Sequence, residues 1–260
     1  MEILDRLLAH LPDEPAIVAL SGGVDSAVVL AGLCLKGVDA LAVTCASAAL
    51  SARSRHMAET VAHHLGARHI VLDTFETRLL PYRQNGPDRC FACKNHLYGR
   101  LSAFARESNA AHLLDGTHLD DLDDSRPGRR AAQLWHVDSP LLEAGLHKDD
   151  VRSVASRLSL PNATLPADSC LASRVDRGIP VTDEVLKRIE AGEAILAELG
   201  FTGSRLRYHG DLCRIEVPLH HLAGTVTLAG EIVRRLAPLG FTYVTLDLEG
   251  YRPAGMRRRL

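Results

Sequence analysis

The run Ala16-Ile17-Val18-Ala19-Leu20 leads directly into Ser21-Gly22-Gly23-Val24-Asp25-Ser26 and then into Ala27-Val28-Val29-Leu30-Ala31. An apolar strand, a glycine turn and an apolar helix in that order constrain this chain more than any other feature it carries. Two adjacent glycines permit positive φ and let the backbone approach an anion closely. The helix behind them aims unpaired N–H groups and the positive end of its dipole at the same point. Ser21 and Ser26 add hydroxyl donors. The segment therefore reads as a phosphate cradle. It is not a Walker A loop, because no Gly-Lys-Ser/Thr follows, and it lacks the Gly-x-Gly-x-x-Gly of dinucleotide sites.

The loop resembles the PP-loop of the ATP pyrophosphatases. That resemblance implies cleavage of ATP between its α and β phosphates, transfer of AMP to a substrate oxygen and release of pyrophosphate. Asp25 is then the expected partner of the Mg²⁺ that accompanies the triphosphate.

Around the loop, strand-like Ile17–Leu20, Ala40–Thr44, Ile70–Leu72 and Leu113–Asp115 alternate with helix-like Ala52–Leu65 and Leu97–Glu107. Such alternation predicts an α/β fold with a doubly wound parallel sheet. Its ligand belongs at the carboxyl ends of the strands, where Ser21–Ser26, Thr44–Ser47 and Asp115–Thr117 are expected to converge. The candidate ATP-binding residues are thus Ser21, Gly22, Gly23, Asp25, Ser26, Thr44, Ser47, Gly116 and Thr117. From Thr182 onward the pattern changes to an amphipathic helix over Asp183–Leu199, strands over Ser204–His209 and Cys213–Val217, a helix near Gly230–Leu239 and a last strand over Thr242–Leu248. The expected organisation is a PP-loop domain over 1–165 and a smaller α+β domain over 166–260, joined through the Pro- and Gly-containing stretch 160–180.

A net charge of −2 argues against a broad nucleic-acid surface. No apolar stretch reaches the about 18 residues of a membrane span, and the acidic start Met1-Glu2-Ile3-Leu4-Asp5 is unlike a signal peptide, so a soluble cytoplasmic protein is expected. In that setting six cysteines are expected as thiols, metal ligands or catalytic groups. Cys34, Cys45 and Cys213 lie in apolar helix or strand contexts and read as core. Cys90 and Cys93, a Cys-x-x-Cys after the turn-forming Gln84–Asp88, and Cys170, in Asp168-Ser169-Cys170-Leu171, read as loop thiols with a chemical role.

Several blocks together resemble the LarE-type ATP-dependent sulfur transferases of nickel-pincer nucleotide synthesis, which serve lactate racemase maturation. They are Ser21–Ser26, Arg89–Lys94, Asp115–Asp124 with Arg126-Pro127-Gly128, Ser139–Leu141, Lys148–Arg152, Pro166-Ala167 with Cys170–Arg174, Arg205–Asp211 and Gly240–Arg252. The chain departs from the family pattern at Ser169, where proline is expected, and at Val175–Gly178, where an aromatic residue is expected before the glycine. The resemblance implies that a carboxylate of a pyridinium dicarboxylate mononucleotide is adenylated and converted to a thiocarboxylate. It also implies two alternatives for the sulfur. In one, Cys90, Cys93 and Cys170 hold a [4Fe–4S] cluster that carries sulfide from a sulfide donor. In the other, Cys170 gives up its own sulfur and becomes dehydroalanine. A Zn²⁺ site on the same three thiolates and one of the histidines is the inorganic alternative. A homo-oligomer is also implied.

Arg205 and Arg207 alternate on one strand face and are expected to clamp the substrate phosphate. Lys94, beside Cys93, and Arg174, four residues after Cys170, are expected to stabilise a thiolate or bind a carboxylate. With Cys170 and Asp25 they form the candidate catalytic set. Asp120, Asp121, Asp123 and Asp124 form an acidic loop open to either Mg²⁺ or solvent, Arg257–Arg259 read as a basic tail, and the histidines read as surface residues. A PP-loop tRNA thiolase, a non-catalytic nucleotide sensor and an ammonia-using amidotransferase are the competing classes.

Overall fold

The computed structural model describes residues 2–122, 128–166 and 168–251. Asp123, Asp124, Arg126-Pro127, Ala167, Arg252 and the Arg257–Arg259 tail lie outside the described residues. The chain divides into two compact units. One holds the residues up to Tyr82 together with Pro87–Asp168, the other Arg83–Gly86 together with the residues from Ser169 onward.

The first unit runs α1 (Ile3–Ala9), β1 (Ala16–Ala19), α2 (Val24–Lys36), β2 (Ala40–Ala46), α3 (Ala52–His64), β3 (Arg68–Asp73), the short α4 (Leu80–Arg83) at its border, α5 (Arg89–Glu107), β4 (His112–Leu114), α6 (Gly128–Leu134), α7 (Pro140–Glu143) and α8 (Lys148–Arg157). Its four strands are all parallel, in the order β3-β2-β1-β4. Side-chain alternation along the strands divides the core. Ala16 and Val18 of β1 with Ala40 and Ala42 of β2 face the layer built from α1, α2 and α8. Ile17 and Val43 face the layer that contains Tyr98, Leu101 and Ala105 of α5. Both faces of the sheet are covered, as a parallel sheet requires, so the doubly wound α/β reading holds.

Local chemistry sets the helix boundaries. Ser51 caps α3 by accepting from Ser54 N at 3.1 Å. The helix α2 ends at Gly37 in the left-handed region, with Gly37 N bonded to Cys34 O and Val38 N to Leu33 O. One boundary corrects the sequence reading: α5 begins at Arg89, two turns before Leu97, so Cys90 and Cys93 sit on a helix and not in a loop. From Asp88 through Tyr98 no glycine or proline interrupts the turn pattern, and Ala92 N already bonds Asp88 O at 2.9 Å.

The second unit contains α9 (Asp183–Glu198), β5 (Arg205–His209), β6 (Leu212–Glu216), α10 (Leu222–Thr227), α11 (Ala229–Leu236) and β7 (Tyr243–Leu246). Its sheet has the order β5-β6-β7, antiparallel between β5 and β6 and parallel between β6 and β7. Thr182 caps α9 by accepting from Val185 N, with Asp183 and Glu184 in the first turn where the helix dipole favours acids. Residues 83–86 join this unit through hydrogen bonds. Asn85 Nδ2 donates to Asp176 O and Ile179 O, and Val181 N donates to Arg83 O. Among the described residues no helix is long and apolar enough to cross a membrane.

Candidate active site

In the order β3-β2-β1-β4 the chain leaves β1 toward β2 and β3 and later returns to its other side as β4, so a crevice opens beyond the carboxyl ends of β1 and β4. A cavity of about 370 Å³ lies there, lined among others by Ser21, Asp25, Ser26, Lys94, Asp115 and Thr117.

The glycine loop is folded tightly on itself. Ser26 Oγ accepts from Ser21 N at 3.2 Å and donates to Gly23 O, and Ser21 Oγ lies 3.3 Å from Ser26 Oγ. Gly22 has φ +82°, and a Cβ there would stand 2.2 Å from Ser54 O, so glycine is obligatory. Asn162 Nδ2 donates to Gly22 O at 3.0 Å and fixes the loop from the other side. Gly116 is required for a different reason: its Cβ would lie 2.6 Å from Ser26 N, at the point where the β4 loop crosses the start of α2.

Charge is arranged around this loop in two pairs. Lys148 Nζ donates to both Asp25 oxygens, at 2.5 and 2.6 Å, and about a quarter of each side chain remains exposed. On the other side Lys94 extends over the Tyr98 ring, its Nζ 5.2 Å from the centroid. A Cβ on Gly128 would stand 3.1 Å from Lys94 Cγ, so α6 begins with a residue that lets the lysine stem pass. The Tyr98 phenol is the largest influence raising the Lys94 pKa; desolvation opposes it, and Asp115 and Cys93 add to the rise, so Lys94 is cationic. Asp115 is buried and accepts from Tyr98 OH at 2.7 Å, Ser139 Oγ at 2.8 Å, and Thr117 Oγ1 and N at 2.9 and 3.0 Å. A carboxylate so fully bonded is a fixed anion that anchors the lysine-bearing wall. Burial, ahead of its other neighbours, pushes the Tyr98 phenol up, so it serves as a donor.

The structure thus gathers Ser21, Asp25, Ser26, Gly116, Thr117 and Lys94, with Gly22 and Gly23 shaping the loop. Thr44 and Ser47 are a correction. Thr44 is wholly buried, and its hydroxyl donates to Leu20 O at 2.7 Å and lies 2.8 Å from His69 Nε2. Ser47 Oγ accepts from Ala49 N within its own turn. Neither lines the cavity. The longer β2, which continues to Ala46, accounts for this by placing Thr44 inside the sheet.

Sequence reasoning passed over Lys148, His118 and Asp168. Lys148 begins α8 and is far from the loop in sequence; its only signal was the Lys148–Arg152 block. His118 is buried, not a surface residue, with Nε2 at 3.5 Å from Asp121 and 3.9 Å from Asp25. Asp168 lines the cavity and its Oδ2 accepts from Ser51 Oγ and Ser54 Oγ.

None of the six cysteines is in a disulfide. Burial pushes Cys45 up to about 12 and Cys213 up to about 11, and also raises Cys34, which suits inert packing thiols. Cys90 is exposed and Cys93 half-buried, three residues apart on one face of the first turn of α5. By type and spacing that pair fits two thiolate ligands. Cys170, exposed, belongs to the second unit, where it precedes a single 3₁₀ turn over Leu171–Arg174. Among the described residues, no three His, Cys, Asp or Glu side chains gather so as to hold a metal ion.

In the second unit Arg205 and Arg207 do share a strand face, but both are buried. Arg207 Nη2 donates to Glu216 Oε2 at 2.7 Å, while Arg205 lies 5.0 Å from the Tyr251 ring centroid and donates to Ser204 O. Arg174 is a further correction: its guanidinium is shut away from solvent and paired with Glu193, and so is not presented to a thiolate or a substrate carboxylate.

No family model matches the chain. It is 36% identical to an uncharacterised protein of Synechocystis sp., over 94% of this chain and 92% of that one. It is 34% identical to the pyridinium-3,5-bisthiocarboxylic acid mononucleotide synthase of Lactiplantibacillus plantarum, over 98% of this chain and 93% of that enzyme. A tRNA-specific 2-thiouridylase MnmA of Azorhizobium caulinodans is 31% identical over 72% of this chain and 58% of its own length.

Proposed function

Because this chain belongs to the LarE-type family of the pyridinium-3,5-bisthiocarboxylic acid mononucleotide synthase, we propose that it is an ATP-dependent sulfur transferase acting on a pyridinium dicarboxylate mononucleotide. The observation that carries the reading is the cavity at the β1/β4 crevice, where a phosphate-cradling loop meets Lys94 and Asp25, the latter paired with Lys148. A carboxylate is a poor electrophile until its oxygen becomes part of a leaving group. Attack of the substrate carboxylate on the α-phosphorus of ATP releases pyrophosphate and leaves an acyl adenylate. A sulfur nucleophile then expels AMP and forms the thiocarboxylate.

The residues of this chain divide that work. Ser21, Ser26 and the N-terminus of α2 bind the phosphates. Asp25 would hold Mg²⁺, which supplies charge neutralisation to the triphosphate. Lys148, already on Asp25, and Lys94, on the opposite wall, balance the negative charge that develops as pyrophosphate leaves. Arg205 and Arg207, both buried, with Arg207 held by Glu216 and Ser173 O, brace β5 and are not assigned to the substrate phosphate. Cys90, Cys93 and Cys170 would hold a [4Fe–4S] cluster, which supplies a site for sulfide from a donor. A second reading, Cys170 as its own sulfur donor, is favoured by the setting of that residue, an exposed thiol on a loop fastened from beneath. In that route Cys170 Sγ attacks the acyl adenylate, AMP leaves, and elimination across Cα–Cβ yields the thiocarboxylate and dehydroalanine.

The test is pyrophosphate release and thiocarboxylate formation with the mononucleotide as substrate after anaerobic reconstitution. Release that depends on the mononucleotide is expected, and ATP binding without turnover would refute the proposal. Iron and acid-labile sulfide, lost in Cys90→Ala, Cys93→Ala and Cys170→Ala alike, would identify the cluster route; a dehydroalanine at 170 would identify the sacrificial one.

A further inference from the structure

Arg174 is the one charged residue among the largest side chains fully buried in the described residues. A guanidinium cannot shed its charge, so burial on this scale requires that its N–H groups be spoken for. They are directed at two targets. Nε and Nη2 meet Glu193 Oε1 and Oε2 of α9 at 3.0 and 3.3 Å, a two-point fork. Nη1 turns the other way, to Ser169 O, to Ser169 Oγ at 2.9 Å, to Cys170 O at 3.1 Å and to Ser173 Oγ at 3.2 Å. The backbone on either side of the Cys170 Cα is therefore wrapped around a buried cation, while the thiol itself is exposed.

The fastening extends to the sheet. Glu193 Oε1 also accepts from Leu206 N of β5 at 3.1 Å, and Ser173 O accepts from Arg207 Nη1 at 3.0 Å. Without Arg174, the Ser169 carbonyl would lose this donor and the Cys170 carbonyl would keep Ser173 N, at 2.9 Å, so the segment on the N-terminal side of Cys170 would be held more loosely. We propose that Arg174, anchored by Glu193, is a positioning residue for Cys170: it fixes the orientation from which the thiol acts in sulfur transfer and touches neither ATP nor the mononucleotide. The functional half of this inference rests on the sulfur-transfer reading; the structural half does not.

Arg174→Lys tests it, because a lysine keeps the charge and cannot form the fork. Glu193→Gln is the second variant, which retains shape and most of the hydrogen bonding. Hydrogen exchange of the 169–175 amides in the full-length protein reads the fastening without any substrate. It is expected to rise about tenfold or more in Arg174→Lys and less in Glu193→Gln. Thiocarboxylate formation is expected to fall about tenfold or more in Arg174→Lys, with mononucleotide-dependent pyrophosphate release and the KM for the nucleotide within about twofold of the parent. Unchanged exchange and unchanged thiocarboxylate formation would overturn the proposal. So would an equal fall in both partial reactions, which marks general damage. Absence of pyrophosphate release from the parent chain would sink the sulfur-transfer reading, and the exchange measurement would still judge the fastening.

Discussion

The two units each hold a strong cation–carboxylate pair, and the pairs serve opposite ends. In Lys148–Asp25 the carboxylate lines a cavity, the pair is partly exposed, and each group can take another partner, the lysine a phosphate and the carboxylate a metal ion. In Arg174–Glu193 the guanidinium is shut away from solvent, and its Nη1 is committed to the carbonyls of Ser169 and Cys170 and the hydroxyls of Ser169 and Ser173. The first pair is exchangeable and the second is architecture. A charge near a reactive residue is thus no guide to its role until its partners and its access to solvent are known.

The contrast makes a thermodynamic prediction. Arg174→Met leaves the largely buried Glu193 without its cation and takes one donor from each of the Ser169 and Cys170 carbonyls, and should cost about 3 kcal/mol in urea denaturation. Lys148→Met removes a partly exposed pair and should cost about 1 kcal/mol or less. Activity should rank the other way within the adenylation step: Lys148→Met is expected to slow mononucleotide-dependent pyrophosphate release about a hundredfold, as loss of one preorganised donor to a developing charge does. Equal stability losses in the two variants would abolish the distinction.

The same logic separates two neighbouring glycines. Gly22→Ala places a methyl 2.2 Å from Ser54 O on a backbone at φ +82°, and should cost about 2–4 kcal/mol together with ATP binding. Gly23 has φ −75° as the residue before α2, and its Cβ would meet only Ser21 Oγ at 3.3 Å. Gly23→Ala should therefore cost about 1 kcal/mol or less, mainly as a weaker helix start. Melting curves and nucleotide titration on both variants check the pair.

What was legible in the sequence follows the range of each interaction. The strand-glycine-helix signal, the alternation of strands and helices and the apolar settings of Cys45 and Cys213 are local, and the observed elements match them within a few residues. The start of α5 was misjudged because turn-forming Gln84–Asp88 suggested a longer loop than the ten unbroken residues after it allow. Lys148 and Asn162 reach the glycine loop, and Asp168 reaches the cavity, only through the tertiary fold, across 123 positions in the case of Lys148 and Asp25. Arg174 was misassigned for the same reason: its nearest chemistry in sequence is Cys170, but its decisive partner, Glu193, comes from α9.

A third polar pair in the first unit lies between the two extremes, and its effect should be the smallest. Thr44 Oγ1 and His69 Nε2 are 2.8 Å apart, and the Thr44 hydroxyl already donates to Leu20 O. With that proton committed, His69 donates from Nε2 to the Thr44 hydroxyl. Desolvation, the largest influence, lowers the His69 pKa from its ordinary 6.5, against a rise from Glu59. The sign follows: below 6.5 the unfolded chain takes up a proton that the folded chain resists, so stability is present above that pH and is lost as pH falls through the lower folded value. The urea midpoint should therefore decline from pH 7.5 toward pH 5, and His69→Gln, which keeps a donor without a titration, should reduce the slope. A midpoint that rises as pH falls, or a slope unchanged in His69→Gln, would show that His69 is not held neutral and that this pair behaves as an exchangeable surface contact.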